Sequence, residues 1–150
     1  RQFYEKLIPK VIFLANQNKK IPIYGTGKNI RDWIYVDDHC DAVFKVLHDG
    51  KQGQSYNISS NNEIDNITIV NKILEILGKS TDLIEYVEDR PGHDLRYSLD
   101  SSKISNLLNW KPLVNFEEGL EKTIDWIINQ SNGKNIENNL LSSTPWKNTS

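Results

Sequence analysis

The nine residues Asp89-Arg90-Pro91-Gly92-His93-Asp94-Leu95-Arg96-Tyr97 concentrate side chains able to do chemistry. Asp89, Arg90, His93, Asp94 and Arg96 can each be charged, and the Pro-Gly between them forces a turn that lets groups on either side converge. Two arginines and a histidine held by a rigid turn suit an anion such as a phosphate, because a guanidinium offers a planar fork of donors. The same residues would also make an ordinary solvated turn with local ion pairs. Spacing alone leaves both readings open.

Other candidates are weaker. Gly25-Thr26-Gly27-Lys28 has the look of a phosphate loop, but Pro22 stands where the first glycine of a P-loop belongs and Asn29 follows Lys28 where Ser or Thr is needed. The dinucleotide fingerprint also fails, because Ile30 occupies the place of its third glycine. Tyr24 and Lys28 have Tyr-x-x-x-Lys spacing, which works catalytically only on a helix; Gly25 and Gly27 argue against one. His39, His48 and His93 show no metal-ligand spacing, no Ser/His/Asp or Cys/His set is legible, and no metal is expected. Three Asn-x-Ser/Thr sequons, at Asn57, Asn66 and Asn148, are what an asparagine-rich chain produces by chance, and Asn57 is expected on a buried strand.

The elements that must position the charged turn follow from periodicity. Leu7, Ile8, Val11, Ile12, Leu14 and Ala15 recur at helical spacing, with Pro9 tolerable in a first turn, and predict a helix from about 6 to 17. Ile21–Tyr24 reads as a short strand, Gly25–Gly27 as a turn, and Arg31–Val36 as a second strand, together suggesting a hairpin or a close crossover. Asp37 and Asp38 open a helix with Cys40, Val43, Phe44 and Leu47 on one face, ended by Gly50. Ser55–Ile58 reads as another strand, giving a strand-helix-strand unit that favours a parallel sheet. After a polar loop over 59–66, Asn66 is expected to cap a helix over 67–77 carrying Val70, Ile73, Leu74 and Leu77 and closed by Gly78. Ile84–Val87 is the strand that leads into the turn. Asp100 caps a short helix with Ile104, Leu107 and Leu108, broken at Trp110-Lys111-Pro112. Asn115 and Glu118 resemble a capping box, opening a helix to about Asn129 with Phe116, Leu120, Ile124, Ile127 and Ile128 inward. Residues 130–150 are polar and read as a poorly ordered tail.

At 150 residues the chain can form one domain with a core, and its 37% hydrophobic and 25% charged content is ordinary for a globular protein. A net charge of −2, with both signs mixed, gives no case for nucleic acid or an acidic membrane. No stretch approaches the ~20 apolar residues of a membrane span. The single cysteine, Cys40, rules out an internal disulfide and fits a reducing compartment, so a cytoplasmic location is expected. The chain opens on Arg1 inside a structured-looking segment and holds no methionine, which suggests a piece of a longer protein.

Four stretches stand out together: Glu5-Lys6-Leu7-Ile8-Pro9; Ile23-Tyr24-Gly25 with Arg31-Asp32-Trp33-Ile34-Tyr35-Val36-Asp37-Asp38-His39; Tyr56-Asn57-Ile58 with Asn62-Glu63 and Asn66; and Asp89–Tyr97 followed by Asp100, Lys103-Ile104 and Leu108-Asn109-Trp110-Lys111-Pro112. In order and spacing they resemble the C-terminal part of the dTDP-glucose 4,6-dehydratases, extended short-chain dehydrogenase/reductases that act on nucleotide sugars. The Arg-Asp-Trp and Trp-Lys-Pro elements are shared widely among nucleotide-sugar enzymes, and the Asp-Arg-Pro-Gly-His-Asp run narrows the choice to 4,6-dehydratases and close relatives. UDP-glucose 4,6-dehydratase, an epimerase, a UDP-glucuronate decarboxylase and a non-catalytic truncated binding protein are the alternatives.

The resemblance implies an α/β fold in which residues 1–129 form the substrate-binding part of an enzyme whose NAD lies in a separate Rossmann domain. The helices at 6–17 and 67–77, with the charged turn, would build the substrate lobe; the Asp37–Asp49 helix and the Tyr56–Ile58 strand would pack on the Rossmann part. Lys6, Leu7, Pro22, Tyr24, Arg31, Asn66, Arg90 and His93 are the implied nucleotide-sugar contacts. Lys6 and Leu7 would lie near the pyrophosphate, Pro22 and Tyr24 at the base, Arg31 and Arg90 on phosphate oxygens, Asn66 on the nucleotide and His93 near the sugar. The family's NAD loop, its acid/base set and its Tyr-x-x-x-Lys pair would all lie upstream of Arg1. No catalytic or cofactor-binding residue is therefore expected here, and the stretch alone is expected to be inactive. The whole enzyme is expected to be a homodimer.

Overall fold

The computed structural model describes residues 3–131, so the expected tail from 130 lies, beyond its first two residues, outside the described chain. The architecture is α/β, and the chain divides into two compact units that it visits in turn. One comprises residues 3–29, 65–95 and 122–131; the other comprises 30–64 and 96–121. The helices expected in the substrate lobe and the charged turn up to Leu95 fall in the first unit. The Asp37–Asp49 helix and Tyr56–Ile58 fall in the second. No helix among the described residues is long and apolar enough to cross a membrane.

The first unit packs α1 (Leu7–Asn16) on α3 (Asn66–Ile76) beside a parallel pair, β1 (Ile21–Tyr24) and β4 (Ile84–Val87). Every residue from Pro9 to Ala15 is buried, so α1 is a core helix and not a surface one. Pro9 costs it nothing, because the missing N–H is one that a helix start leaves unpaired anyway. Ile21 and Ile23 of β1 point into the same core as Ile69, Val70, Ile73 and Leu74 of α3. Both helices stop through the same device, a left-handed residue at Asn18 and at Gly78, after which Lys19 N–H donates to Leu14 O and Lys79 N–H to Leu74 O. Lys79 Nζ then donates to Asn18 Oδ1 at 2.8 Å, tying the two ends together.

The second unit holds β2 (Ile30–Asp32), α2 (Val36–Asp49), β3 (Glu63–Asp65, whose last residue starts the return to the first unit), α4 (Ser102–Leu108) and the first turns of α5 (Phe116–Ser131). Ala42, Ile104, Leu108 and Trp110 form its core, with Ile34, Val46, Tyr56 and Ile58 packed around them. Two aspartates organise it. Buried Asp38 in the first turn of α2 accepts the N–H groups of Leu113 and Val114, at 3.1 and 3.0 Å, and Asp41 accepts the Trp110 indole N–H at 3.0 Å. Asp32 accepts from the hydroxyls of Ser59 and Ser60 and from the Ser60 N–H.

Several local expectations are corrected. β1 and β2 do not form a hairpin: β1 pairs in parallel with β4, and β2 with β3. The second strand stops at Asp32, because Val36 already belongs to α2. Ser55–Ile58 forms no ladder among the described residues; Tyr56 and Ile58 are held by the core cluster instead, and Asn57 is exposed. The cap of α3 is Asp65, whose Oδ1 accepts from Thr68 N–H at 2.8 Å, and Asn66 is the first helical residue. On α2 the face of Cys40, Val43, Phe44 and Leu47 is exposed, with Phe44 and Leu47 at 62% and 76%, while the residues turned inward are Asp38, Ala42 and Val46. On α4, Ile104 and Leu108 are buried but Leu107 is exposed.

Candidate functional site

The parallel register of β1 and β4 sets Tyr24 beside Val87, so the segments that leave the two strands emerge side by side. The C-terminal ends of parallel strands are where α/β proteins place ligands, because the connections diverge there and leave a crevice. Gly25 N–H extends the ladder by donating to Val87 O at 2.9 Å. Its φ is +55°, and a Cβ at this position would lie 2.9 Å from Asp89 Oδ2. Only glycine suits both the left-handed backbone and the room the carboxylate takes.

Asp89 Oδ1 accepts from the Arg90 N–H at 2.8 Å and lies 2.6 Å from His93 Nδ1. These bonds close the Pro91-Gly92 turn and bring Arg90 and His93 out from one anchor. The His93 side chain is only 6% exposed, with its ring set edge-on to Tyr24, centroids 6.3 Å apart. Burial pushes the Tyr24 phenol up, partly offset by the Arg90 charge nearby. On Tyr24 also lies Lys10 of α1, with Nζ 5.8 Å from the ring centroid. Lys10 is 6% exposed, and burial lowers its pKa against the opposing pull of Glu5. Buried Asn29 braces the rim. Its Nδ2 donates to Asp94 O at 3.2 Å, and its own carbonyl accepts the Asn66 N–H at 3.0 Å.

The expected contacts thus separate into groups. Tyr24, Arg90 and His93 are brought together in the first unit. Pro22 lies two residues before Tyr24 on the same strand, paired with Glu85. Asn66 begins α3, held to Asn29. Lys6 and Leu7 lie at the start of α1, one turn before Lys10; Lys6 is exposed and paired with Glu5 at 3.4 Å. Arg31 belongs to the second unit, where its guanidinium lies over the Tyr97 ring at 4.3 Å and donates to Ile30 O.

Sequence reasoning missed three residues of this arrangement: Lys10, Asn29 and the anchoring part played by Asp89. Lys10 had a signal, since it is the one charge within the apolar run Leu7–Ala15. Asn29 had none, because its two partners lie 37 and 65 residues away in sequence. The residues present do not suit a dinucleotide. The single Gly-x-Gly of the chain is the Gly25–Gly27 turn, and it is filled by Asp89 on one side and by Ile23 and Ile67 on the other.

The sequence model of the GDP-mannose 4,6 dehydratase family matches residues 1–123. The dTDP-glucose 4,6-dehydratase of Salmonella typhimurium is 50% identical over 133 residues, covering 84% of this chain and 37% of that protein. The solved structure of dTDP-glucose 4,6-dehydratase from Bacillus anthracis, in complex with NAD, is 45% identical with a TM-score of 0.83, over 88% of this chain and 42% of that one. A UDP-glucuronic acid 4-epimerase from Bacillus cereus, in complex with UDP-glucuronic acid and NAD, superposes nearly as well, TM-score 0.80, over 87% of this chain and 42% of that one, but at 28% identity. The chain therefore spans about two-fifths of the length of the relatives it matches.

Proposed function

Because the chain belongs to the GDP-mannose 4,6 dehydratase family, we propose that it is the substrate-holding part of an NAD-dependent nucleotide-sugar 4,6-dehydratase acting on dTDP-glucose. One observation supports this most: Arg90 and His93 are anchored on Asp89, and Tyr24 faces the His93 ring, where β1 and β4 end. An aromatic face, a guanidinium and an imidazole at the mouth of a parallel pair suit a base, a diphosphate and a sugar. The higher identity to dTDP-glucose dehydratases than to the UDP-glucuronic acid epimerase favours dehydration over epimerisation.

In this proposal residues 1–129 form the substrate-binding part. Arg90 and Arg31 meet phosphate oxygens, Lys6 and Leu7 lie near the pyrophosphate, Pro22 and Tyr24 line the base, Asn66 bonds the nucleotide and His93 stands at the sugar. NAD, held by another part of the polypeptide, supplies oxidation at sugar C4. A C4 ketone acidifies the C5 proton, so a base can remove it and water can leave across C5 and C6. This chain's share is to bind and orient the nucleotide sugar, so that remote binding energy positions the reacting carbons. The exposed apolar face of α2 suits cover by the rest of the protein. The whole enzyme is read as a cytoplasmic homodimer.

The test is to give the full-length polypeptide dTDP-glucose and UDP-glucose separately. A 4-keto-6-deoxy product from dTDP-glucose is expected, and no such product from either sugar nucleotide would overturn the proposal. Light scattering of the same preparation checks the dimer.

A further inference from the structure

Asp89 is not among the substrate contacts, yet the turn is built on it. We propose that Asp89 is a positioning residue whose carboxylate fixes the hydrogen of His93 on Nδ1, so that Nε2 is the atom offered to a bound nucleotide sugar, and that Gly25 is glycine to leave room for that carboxylate. The ligand named here rests on the function proposed above; the hold of Asp89 on His93 does not.

The geometry supports each step. An ionised carboxylate only accepts, so the hydrogen in the 2.6 Å contact between His93 Nδ1 and Asp89 Oδ1 belongs to the imidazole. The bond that one ring nitrogen makes decides the state of the other. A free neutral imidazole side chain favours hydrogen on Nε2, so Asp89 reverses the ordinary preference. Among the described residues Nε2 has no protein partner, and none of their sealed side-chain nitrogens or oxygens lacks one. Nε2 is thus left for a ligand on a side chain that is only 6% exposed. In the neutral ring it is an acceptor, suited to a hydroxyl of the sugar or an N–H of the base. The same Oδ1 takes the Arg90 N–H, so one carboxylate sets the starting point of two of the residues that face the ligand. The side chain cannot simply step aside for a larger neighbour at Gly25. A Cβ there would also meet Asp89 Cγ and Cβ at 3.2 and 3.3 Å, and moving the carboxylate breaks its bond to His93.

The test uses the full-length polypeptide labelled with ¹⁵N-histidine, at a pH of about 8 where an ordinary imidazole is neutral. Long-range nitrogen–proton correlation should find His93 protonated on Nδ1 in the unmodified protein and on Nε2 in Asp89→Ala. Calorimetric titration with thymidine diphosphate should show affinity falling about tenfold or more in Asp89→Ala and in Gly25→Ala. Should Asp89→Ala not fold, the isosteric Asp89→Asn takes its place. Its amide oxygen can still accept both the Arg90 N–H and Nδ1–H, so Asp89→Asn should keep hydrogen on Nδ1 and most of the affinity. Hydrogen on Nε2 in the unmodified protein, undiminished affinity in Asp89→Ala, or hydrogen on Nε2 with undiminished affinity in Asp89→Asn would each overturn the proposal. An unmodified protein that binds no thymidine diphosphate would overturn the proposed function and the ligand assigned to Nε2, while the tautomer measurement still decides whether Asp89 holds His93.

Discussion

Arg90 and Asp89 are adjacent, yet their replacement should fail in different ways. Arg90→Ala in the full-length polypeptide should raise KM for the sugar nucleotide about tenfold and leave kcat within about twofold, because a phosphate contact far from C4–C6 binds ground and transition states alike. Steady-state kinetics check this, and an unchanged KM would contradict the role of Arg90. Asp89, beyond its effect on affinity, should also show in the acid range. Burial works to raise its pKa, but the bonds from His93 and the Arg90 N–H and the nearby positive charges outweigh it, so the folded-state value is lowered. A carboxyl lowered on folding stabilises the protein above its ordinary pKa, and that stability is lost as pH falls through the folded value. The Asp89 side chain is 43% exposed, so screening keeps the effect small. Urea midpoints of Asp89→Asn should accordingly depend less on pH below about 4 than those of the unmodified protein. The motif itself was plain in the sequence. Its internal bond was not, because whether residues 89 and 93 meet across Pro-Gly depends on how β4 delivers the first of them.

At the level of elements, capping is where single changes have a calculable effect. Asp65→Ala removes the acceptor for Thr68 N–H and should cost about 1 kcal/mol in chemical denaturation. Gly78→Ala, at φ +62°, should cost about as much by forcing a side chain into a left-handed conformation. A loss of less than a few tenths in both would mean that neither terminus holds α3. The helices α1, α3 and α5 and the strands β1 and β4 were legible to within about two residues, since periodicity and end signals are local. The strand pairing was not. β1 finds its partner across 63 positions, from Ile21 to Ile84, and nothing near Ile21 specifies that choice. The three-residue β2 and β3 pair with each other, and Ile30 of β2 also bridges Arg96, partners that no local signal specifies; the Asp65 cap was hidden beside an asparagine that looked equally suited.

Across the whole molecule, α2 shows what periodicity can and cannot tell. It correctly grouped Cys40, Val43, Phe44 and Leu47 on one face but could not say what covers that face, and among the described residues nothing does. If the remainder of the protein covers it, Leu47→Lys in the full-length polypeptide should lower stability by about 2 kcal/mol, measured by denaturant unfolding. No change would mean that the face is open to water in the whole protein as well. The chain alternates between two units, with α1 and α3 in one and α2 in the other. The most direct measurement is hydrogen exchange of the full-length polypeptide with and without dTDP-glucose. Slower exchange is predicted in the segments that leave β1 and β4, residues 24–27 and 88–93, where a bound nucleotide sugar would close over the backbone. Exchange there that is unchanged at saturating dTDP-glucose would contradict a binding site at the ends of these strands.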